Sequence, residues 1–323
     1  MRNRDLLYNV ISQPSIVSSE EEKKFGFFLH AYTSSLPCWD EVEAWKDAEG
    51  RVSVLSFRKG SSSSCVLLLG HYDTVGVDDY PEKAVAFEPE KAKKWMIAEA
   101  GVPPEIRQGL EKGEWVAGRG SLDMKAGIVS QLSFVEEHCP EDVTVLCLWV
   151  PDEEGYSAGA RFAFPRLFHF LQSHSLRLKW VIKSDFTHIK GAIYSGSTGK
   201  CLLNAYIRTK SGHIAGGNLA FNALFYAAEV IRYGTQFSRP DLSVTPLFLQ
   251  TLPAGYTVQT PFECWVNLNM LFFRQSLQER LGIWYRRLSR QFGEGFITWV
   301  DAREKVPPKG SLRERALEII RGK

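Results

Sequence analysis

The chain has 323 residues, of which 44% are hydrophobic and 24% charged, as expected for a folded protein large enough for two domains. Its 39 lysines and arginines against 37 acidic residues leave a net charge of +2, which argues against a nucleic-acid partner held by a broad basic field. No apolar run approaches the ~18 residues of a membrane span, and the amino terminus lacks the apolar core of a signal peptide. The cysteines are scattered without a C-x-x-C pair, so we expect a cytoplasmic protein with no membrane partner.

The first part of the chain alternates between predicted helices and strands. Ser18 or Ser19 followed by Glu21 and Glu22 predicts a capping box that opens a helix reaching about residue 35. The further elements, in chain order, are strands over 52–57 and 65–69, a polar excursion over 76–114 with a short helix near 90–100, a helix over 124–138, a strand over 143–150, a helix over 158–172 and a strand over 180–184. This alternation predicts an α/β layer fold with a largely parallel sheet.

From about residue 197 the pattern changes. The predicted elements are a strand over 201–208, a helix over 220–232, strands over 243–251 and 257–273, a helix over 277–290 and a strand over 296–300. That β-α-β-β-α-β order is typical of the ferredoxin-like split motif. We therefore predict a first domain over 1–197, a second over 198–305, and a linker with one terminal helix over 306–323.

Metal-ligand residue types recur at the ends of predicted strands, where open α/β sheets bind their ligands. His71 and Asp73 follow the first such strand in LLLGHYDTV. Residues two apart on an extended chain face the same way, so one can ligate a metal while the other orients it. For this stretch alone, a polar turn after the strand would be the better interpretation.

A second stretch, GRGSLDMKAG, places Asp123 between glycines at a predicted helix start. A helix N-cap is the simple alternative for this residue. A dinucleotide-binding interpretation fails, because the stretch lacks the third glycine of that motif and no clear strand directly precedes it.

Two further stretches supply carboxylates. VPDEEG brings Glu153 and Glu154 directly after a buried strand, and KWVIKSD ends a later strand at Asp185. Adjacent acidic groups beside apolar strands are costly unless a cation neutralises them, although each stretch alone could be a solvated turn. Because neighbouring side chains diverge, one glutamate can touch a metal while the other contacts a water. Together, the repeated pattern predicts a metal site.

In order and spacing, GHYDTV, GRGSLDMKAG and PDEEG resemble the signature stretches of the dizinc metallopeptidases that include aminoacylase, acetylornithine deacetylase, succinyl-diaminopimelate desuccinylase and carboxypeptidase-G. The long insert before Asp123, together with YSGSTGK and TVQTPFECWVNLNMLFF, resembles the arginine-utilisation RocB-type branch. The resemblance implies a zinc-peptidase-like three-layer sheet domain carrying the metals. It also implies a ferredoxin-like α+β lid that mediates homodimerisation.

The resemblance also implies a role for each site residue. His71 would ligate the first zinc, Asp73 would orient His71, Asp123 would bridge both ions, Asp185 would complete the first zinc, Glu154 would ligate the second, and Glu153 would be the general base. His213 would correspond to the lid histidine that steadies the oxyanion in the partner's site, with a loop histidine as the alternative. Asn222 and Arg274 would contact a substrate carboxylate or carbonyl.

The implied activity is hydrolysis of an amide bond in a small peptide or N-acyl amino acid by a metal-bound hydroxide. One or two Zn2+ would be the cofactor, with Co2+ or Mn2+ as substitutes.

The chain departs from the family at the second metal. There a histidine that follows the lid completes the site, whereas the histidines of this chain are at 30, 71, 138, 169, 174, 188 and 213. Asp123 and Glu154 alone fall short of the usual three protein ligands. We therefore expect the carboxyl-terminal part of the sheet domain to be missing. A truncated product, a one-metal enzyme, a second polypeptide that supplies the rest, and an inactive dimerisation or scaffold protein remain alternatives.

Overall fold

The computed structural model describes residues 2–187, 191–196, 198–217, 222–236, 238, 242–252, 254–255 and 257–272, with a few more between 279 and 290. The chain divides into two compact units, Met1–Ala192 and Ile193–Lys323. The elements predicted over 296–300 and within 306–323, and most of the helix over 277–290, lie outside the described residues. No helix in the described part of the chain is long and apolar enough to cross a membrane.

A five-stranded sheet forms the centre of the first unit. Its strands are β1 Glu41–Lys46, β2 Val52–Arg58, β3 Ser64–His71, β4 Thr144–Val150 and β5 Arg177–Lys183. They lie in the order β1-β2-β4-β3-β5. Strand β3 is parallel to β4 and to β5, but β2 is antiparallel to both β1 and β4.

The prediction of a largely parallel sheet is therefore wrong for the β1-β2-β4 half. Hydrophobic periodicity reports which residues are buried and gives no strand direction, so the sequence could not indicate this. Strand β1 was also missed. Its sequence, EVEAWK, alternates charged and apolar residues on a half-buried edge strand, and it joins β2 through a short antiparallel connection.

The described part of the first unit also contains seven helices. They are α1 Arg2–Ile11, α2 Glu20–Ser34, α3 Lys83–Phe87, α4 Pro89–Ala98, α5 Pro104–Glu111, α6 Lys125–Ser133 and α7 Ala158–Ser173. The helix predicted over 124–138 is real but changes character, since α6 passes into a single π-helical turn at Phe134–His138. The predicted capping box is also real, because the Ser19 side chain accepts the N–H of Glu22 at the start of α2.

Strand β4 shows why the unit has three layers. All of its residues are buried, and alternate side chains enter different cores. Cys147 and Trp149 pack into a cluster with Phe25 of α2 and Ile128 of α6. Neighbouring residues of the strand pack with α7 instead, in a cluster that includes Leu146, Leu148, Ala163 and Leu167. The predicted three-layer α/β arrangement is confirmed.

The second unit contains β6 Gly199–Arg208, α8 Ala223–Thr235, β7 Leu242–Leu252 and β8 Glu263–Phe272. The three strands lie in the order β6-β8-β7 with antiparallel pairing throughout. Helix α8 packs on this sheet, with Ala227 in one cluster with Leu203 and Val266. The strand predicted over 257–273 is shorter than expected. The described β-α-β-β order agrees with the start of a ferredoxin-like motif, and the lid role stays a prediction.

One close approach in the first unit fixes the path of the chain beyond β5. Gly127 lies in α6, and a Cβ built on it would be 2.0 Å from the main-chain oxygen of Ser184. No real Cβ fits at that distance. Only glycine therefore allows the residues that follow β5 to pass this close to α6, and Asp185 is the next residue along that path.

We expect Gly127→Ala to lower the free energy of unfolding by about 1–3 kcal/mol, the usual cost of overpacking a core. The gain in helix propensity, about 1 kcal/mol, acts in the opposite direction but cannot relieve the clash. Urea unfolding followed by circular dichroism measures the difference. Gly76→Ala is the matched control, because the nearest atom to its new Cβ is a side-chain oxygen of Asp78 at 3.8 Å. Equal stability of the wild type and Gly127→Ala would contradict the close approach.

Candidate metal centre

The predicted ligands meet because three parallel strands end at one edge of the sheet. Strands β3, β4 and β5 run in the same direction, so His71, the loop after Val150 and the loop after Lys183 lie at that edge. The turn before α6 brings Asp123 to the same place. Residues far apart in the chain are thereby collected into one acidic site.

His71, Asp123 and Asp185 form the centre of this site. One ligand atom from each lies within 4.8 Å of the others. His71 Nε2 is 2.9 Å from Asp123 Oδ1, and the imidazole is buried. One imidazole nitrogen with two carboxylates is a donor set that suits Zn2+, Co2+ or Mn2+. The residues predicted for the first metal position are thus brought together.

Asp123 does not act as a helix cap. Helix α6 begins at Lys125 with Met124 in the N-cap position, and that cap receives no side-chain hydrogen bond. The Asp123 carboxylate contacts His71 instead. The simple alternative for this residue is therefore wrong.

Asp73 orients His71 mainly through its main chain. His71 Nδ1 lies 3.1 Å from the main-chain oxygen of Asp73 and 3.5 Å from Oδ1. With a metal bound, a proton on Nδ1 would be donated to that carbonyl, and Nε2, which otherwise donates to Asp123 Oδ1, would be left with its lone pair. This tautomer is the one that a metal ligand needs.

The Asp73 carboxylate has a different task, which the sequence did not indicate. Its Oδ1 accepts the main-chain N–H of Glu153 at 3.1 Å, and its Oδ2 accepts that of Glu154 at 3.0 Å. The side chain is completely buried. Asp73 therefore connects the end of β3 to the loop after β4 and fixes the main chain of both glutamates.

The pKa shifts indicate that the site is short of positive charge. Burial alone lowers the pKa of His71, but the hydrogen bonds to Asp123 and Asp73 outweigh it and raise that pKa to about 10. Burial, with the negative charge of Asp123, raises the pKa of Glu154 to about 7. The hydrogen bond from His71 lowers the pKa of Asp123. A divalent cation would relieve this crowding of carboxylates, so the residues fit a metal.

Lys183 is a member of the site that the sequence reasoning missed. Its Nζ lies 2.8 Å from Glu153 Oε1 and 2.6 Å from Asp185 Oδ2. The signal was present in KWVIKSD, because a cation two residues before Asp185 on an extended strand faces the same side. Lys183 contacts both the predicted general base and a predicted metal ligand.

The second metal position is less complete in the part of the chain that the structure describes. The cluster of close ligand atoms contains only the three residues of the first position, His71, Asp123 and Asp185. Glu154 lies outside this cluster, but it interacts electrostatically with Asp123. His188, which follows Asp185 closely in the sequence, lies outside the described residues. The predicted pair of Asp123 and Glu154 therefore gains no further ligand among these residues.

Two of the three residues predicted to act from the lid have local structural roles in the described part of the chain. His213 is exposed, and its Nδ1 accepts the N–H of Ala215 at 3.2 Å at the start of a short 3-10 turn. Asn222 caps α8, since its Oδ1 accepts the N–H of Leu224 at 3.0 Å. Arg274 lies outside the described residues. The functional roles of all three stay predictions.

Comparisons with known proteins support the resemblance read from the motifs. The model of Peptidase family M20/M25/M40 matches residues 67–197. The uncharacterized protein YqjN of Bacillus subtilis (strain 168) is 29% identical over 297 residues, which are 85% of this chain and 54% of that protein. Protein RocB of the same organism is 24% identical over 307 residues, 86% of this chain and 54% of RocB. The chain thus spans about half the length of these relatives.

A solved structure shows the same fold. The M20 family metallo-carboxypeptidase Sso-CP2 from Sulfolobus solfataricus matches with a TM-score of 0.60 at 12% identity, over 91% of this chain and 76% of that one. The predicted resemblance to the metallopeptidase family and to its RocB-type branch is confirmed. The stretch that matches the model of Peptidase family M20/M25/M40, residues 67–197, contains all the predicted metal ligands.

Proposed function

We propose that this chain provides a metal-dependent hydrolase site that cleaves an amide bond in a small peptide or an N-acyl amino acid. The observation that carries the proposal is the cluster of His71, Asp123 and Asp185 at the carboxyl edge of the sheet. The M20/M25/M40 match over the same residues supports it. Because the chain spans about half of its curated relatives, its own activity and substrate are part of the proposal.

The chemistry of the donors decides which cation fits. His71, Asp123 and Asp185 would hold one Zn2+, with Co2+ or Mn2+ as substitutes, and Asp123 with Glu154 would serve a second ion. Bound there, a divalent cation supplies a Lewis acid at neutral pH.

Glu153 is the residue placed to move protons. Asp73 fixes its main chain through the N–H, and Lys183 contacts its Oε1 at 2.8 Å. Its side chain is still about one-third exposed, so a water and a substrate can reach it. As general base, Glu153 accepts the proton of the attacking water and then donates it to the leaving amine.

The second candidate is an inactive homologue that serves as a dimerisation or scaffold protein. It is favoured by the presence of only two predicted ligands, Asp123 and Glu154, for the second metal in the described residues. A homodimer formed through the second unit and a cytoplasmic location remain predictions under either candidate.

Metal content separates the two candidates. We expect the wild-type chain, equilibrated with Zn2+ and then desalted, to retain at least one ion per chain in elemental analysis. His71→Ala should lose stoichiometric binding, because two carboxylates alone make a poor zinc site. His169→Ala, which changes an exposed histidine of α7, is the control and should bind like the wild type. A wild-type chain that retains no metal would favour the scaffold candidate.

Turnover tests the role of Glu153. We expect Glu153→Gln to lower the rate of amide hydrolysis by roughly 100-fold or more, because the amide side chain cannot accept the water's proton. Zinc content should stay at the wild-type value, since Glu153 is not a predicted ligand. Hydrolysis of a panel of N-acetyl amino acids and dipeptides provides the assay. Glu141→Gln, a change in an exposed turn, is the matched control. Full activity of Glu153→Gln would rule out this mechanism.

A further inference from the structure

The loop after β4 contains three successive main-chain N–H groups that all donate to buried carboxylates. Glu153 and Glu154 donate to Asp73, as described above. The N–H of Asp152 donates to Glu22 Oε1 at 2.7 Å, across 130 positions of sequence. We propose that Glu22 is a positioning residue of the hydrolase site, which sets the main chain that carries the general base. This inference rests on the proposed function.

Glu22 is more than a helix-capping residue. In a capping box, the glutamate reaches back with its carboxylate to a free N–H at the helix start. Glu22 Oε2 does this with the N–H of Ser18 at 3.0 Å. The other oxygen, Oε1, points to Asp152. Capping the helix needs only the contact with Ser18. The contact with Asp152 therefore indicates that Glu22 also positions the loop after β4.

Burying the carboxylate of Glu22 costs free energy, so its contact with the Asp152 N–H is not explained as incidental. The side chain is completely buried, and burial raises its pKa to about 7. The N–H groups of Asp152 and Ser18 and the charge of Arg51 act in the opposite direction. These donors hold the carboxylate under the loop.

Asp152 itself is fixed on its other sides. Its φ is +61°, a conformation that non-glycine residues adopt only where the surroundings hold them. Its Oδ2 accepts the N–H groups of Tyr156 and Ala158 at 3.2 and 2.9 Å. Its Oδ1 lies 3.2 Å from Arg51 Nη1, and Asp47 fixes the Arg51 side chain in turn. The Asp152 N–H is the part of this residue that α2 controls.

The effect of Glu22 should be selective. It controls the main chain of Asp152, next to the two glutamates that would act as general base and as second-metal ligand. His71, Asp123 and Asp185 lie on other segments, and none of the hydrogen bonds of Glu22 described above involves them. Loss of the Glu22 contact should therefore displace Glu153 and Glu154 while the first metal position stays intact.

The test compares Glu22→Gln with Glu20→Gln in the full chain at pH 8, where Glu22 is ionised. Both changes remove one negative charge from the first turn of α2, but the Glu20 side chain is 75% exposed. In Glu22→Gln we expect amide hydrogen exchange over 152–154 to accelerate by about tenfold or more. We expect kcat to fall by roughly 10–100-fold while KM changes little, the usual result of losing a support behind a site residue. Zinc content and the Glu20→Gln variant should match the wild type.

Each result decides the question. Suppose that the wild-type chain binds zinc and hydrolyses amides. Then unchanged hydrogen exchange over 152–154 in Glu22→Gln, or faster exchange with unchanged kcat, would overturn the role of Glu22. A wild-type chain without metal or turnover would overturn the proposed function itself, together with the role of Glu22. If Glu22→Gln does not fold, Glu22→Asp gives the same readouts, because it keeps the charge beside Arg51 but shortens the reach to Asp152.

Discussion

The candidate metal centre depends on one completely buried carboxylate, that of Asp73. Its main-chain oxygen faces His71 Nδ1, and its two side-chain oxygens accept the N–H groups of Glu153 and Glu154. A buried carboxylate without hydrogen-bond donors would be strongly destabilising, so the Asp73 side chain needs the two N–H groups that it accepts. Through them, Asp73 connects the end of β3 to the loop after β4. The position of the predicted metal ligand and that of the predicted general base are set by the same residue.

Charge explains why this edge is suited to a cation. Asp123, Glu154 and Asp185 lie near one another, and the available positive groups are His71 and Lys183. Asp123 contributes to both raised pKa values: it raises that of His71 through a hydrogen bond and, after burial as the largest cause, that of Glu154 through its negative charge. A site that was only structural would be expected to pair its acids more completely. The fold shared with the Sulfolobus solfataricus carboxypeptidase at 12% identity shows that the arrangement of layers and strands persists when most residues change.

The site is uneven in a way that bears on both candidate functions. The first position has three predicted ligands in contact range, whereas the second has two in the described part of the chain. Strand β5, which leads to Asp185, lies at the end of the sheet order, and its Trp180, Val181 and Ile182 are 49–70% exposed. Such an apolar edge is a liability unless something covers it. The first metal position therefore has three predicted protein ligands, and the second has one fewer among the described residues.

Local signals in the sequence determined much of this. Apolar runs predicted β2, β3, β4 and β5, and polar residues after three of these strands predicted His71, Asp73, Glu153, Glu154 and Asp185 as site residues. Asp123 was predicted from its glycine-rich stretch at a helix start. These signals are local, because burial and turn chemistry act on neighbouring residues. The tertiary structure alone decided the antiparallel half of the sheet, the contacts of Lys183, the loop-binding task of the Asp73 carboxylate and the reach of Glu22 to Asp152. These features are contacts between segments tens of residues apart or more. Periodicity and residue type do not encode which distant N–H a buried carboxylate will meet, because that depends on how the layers pack.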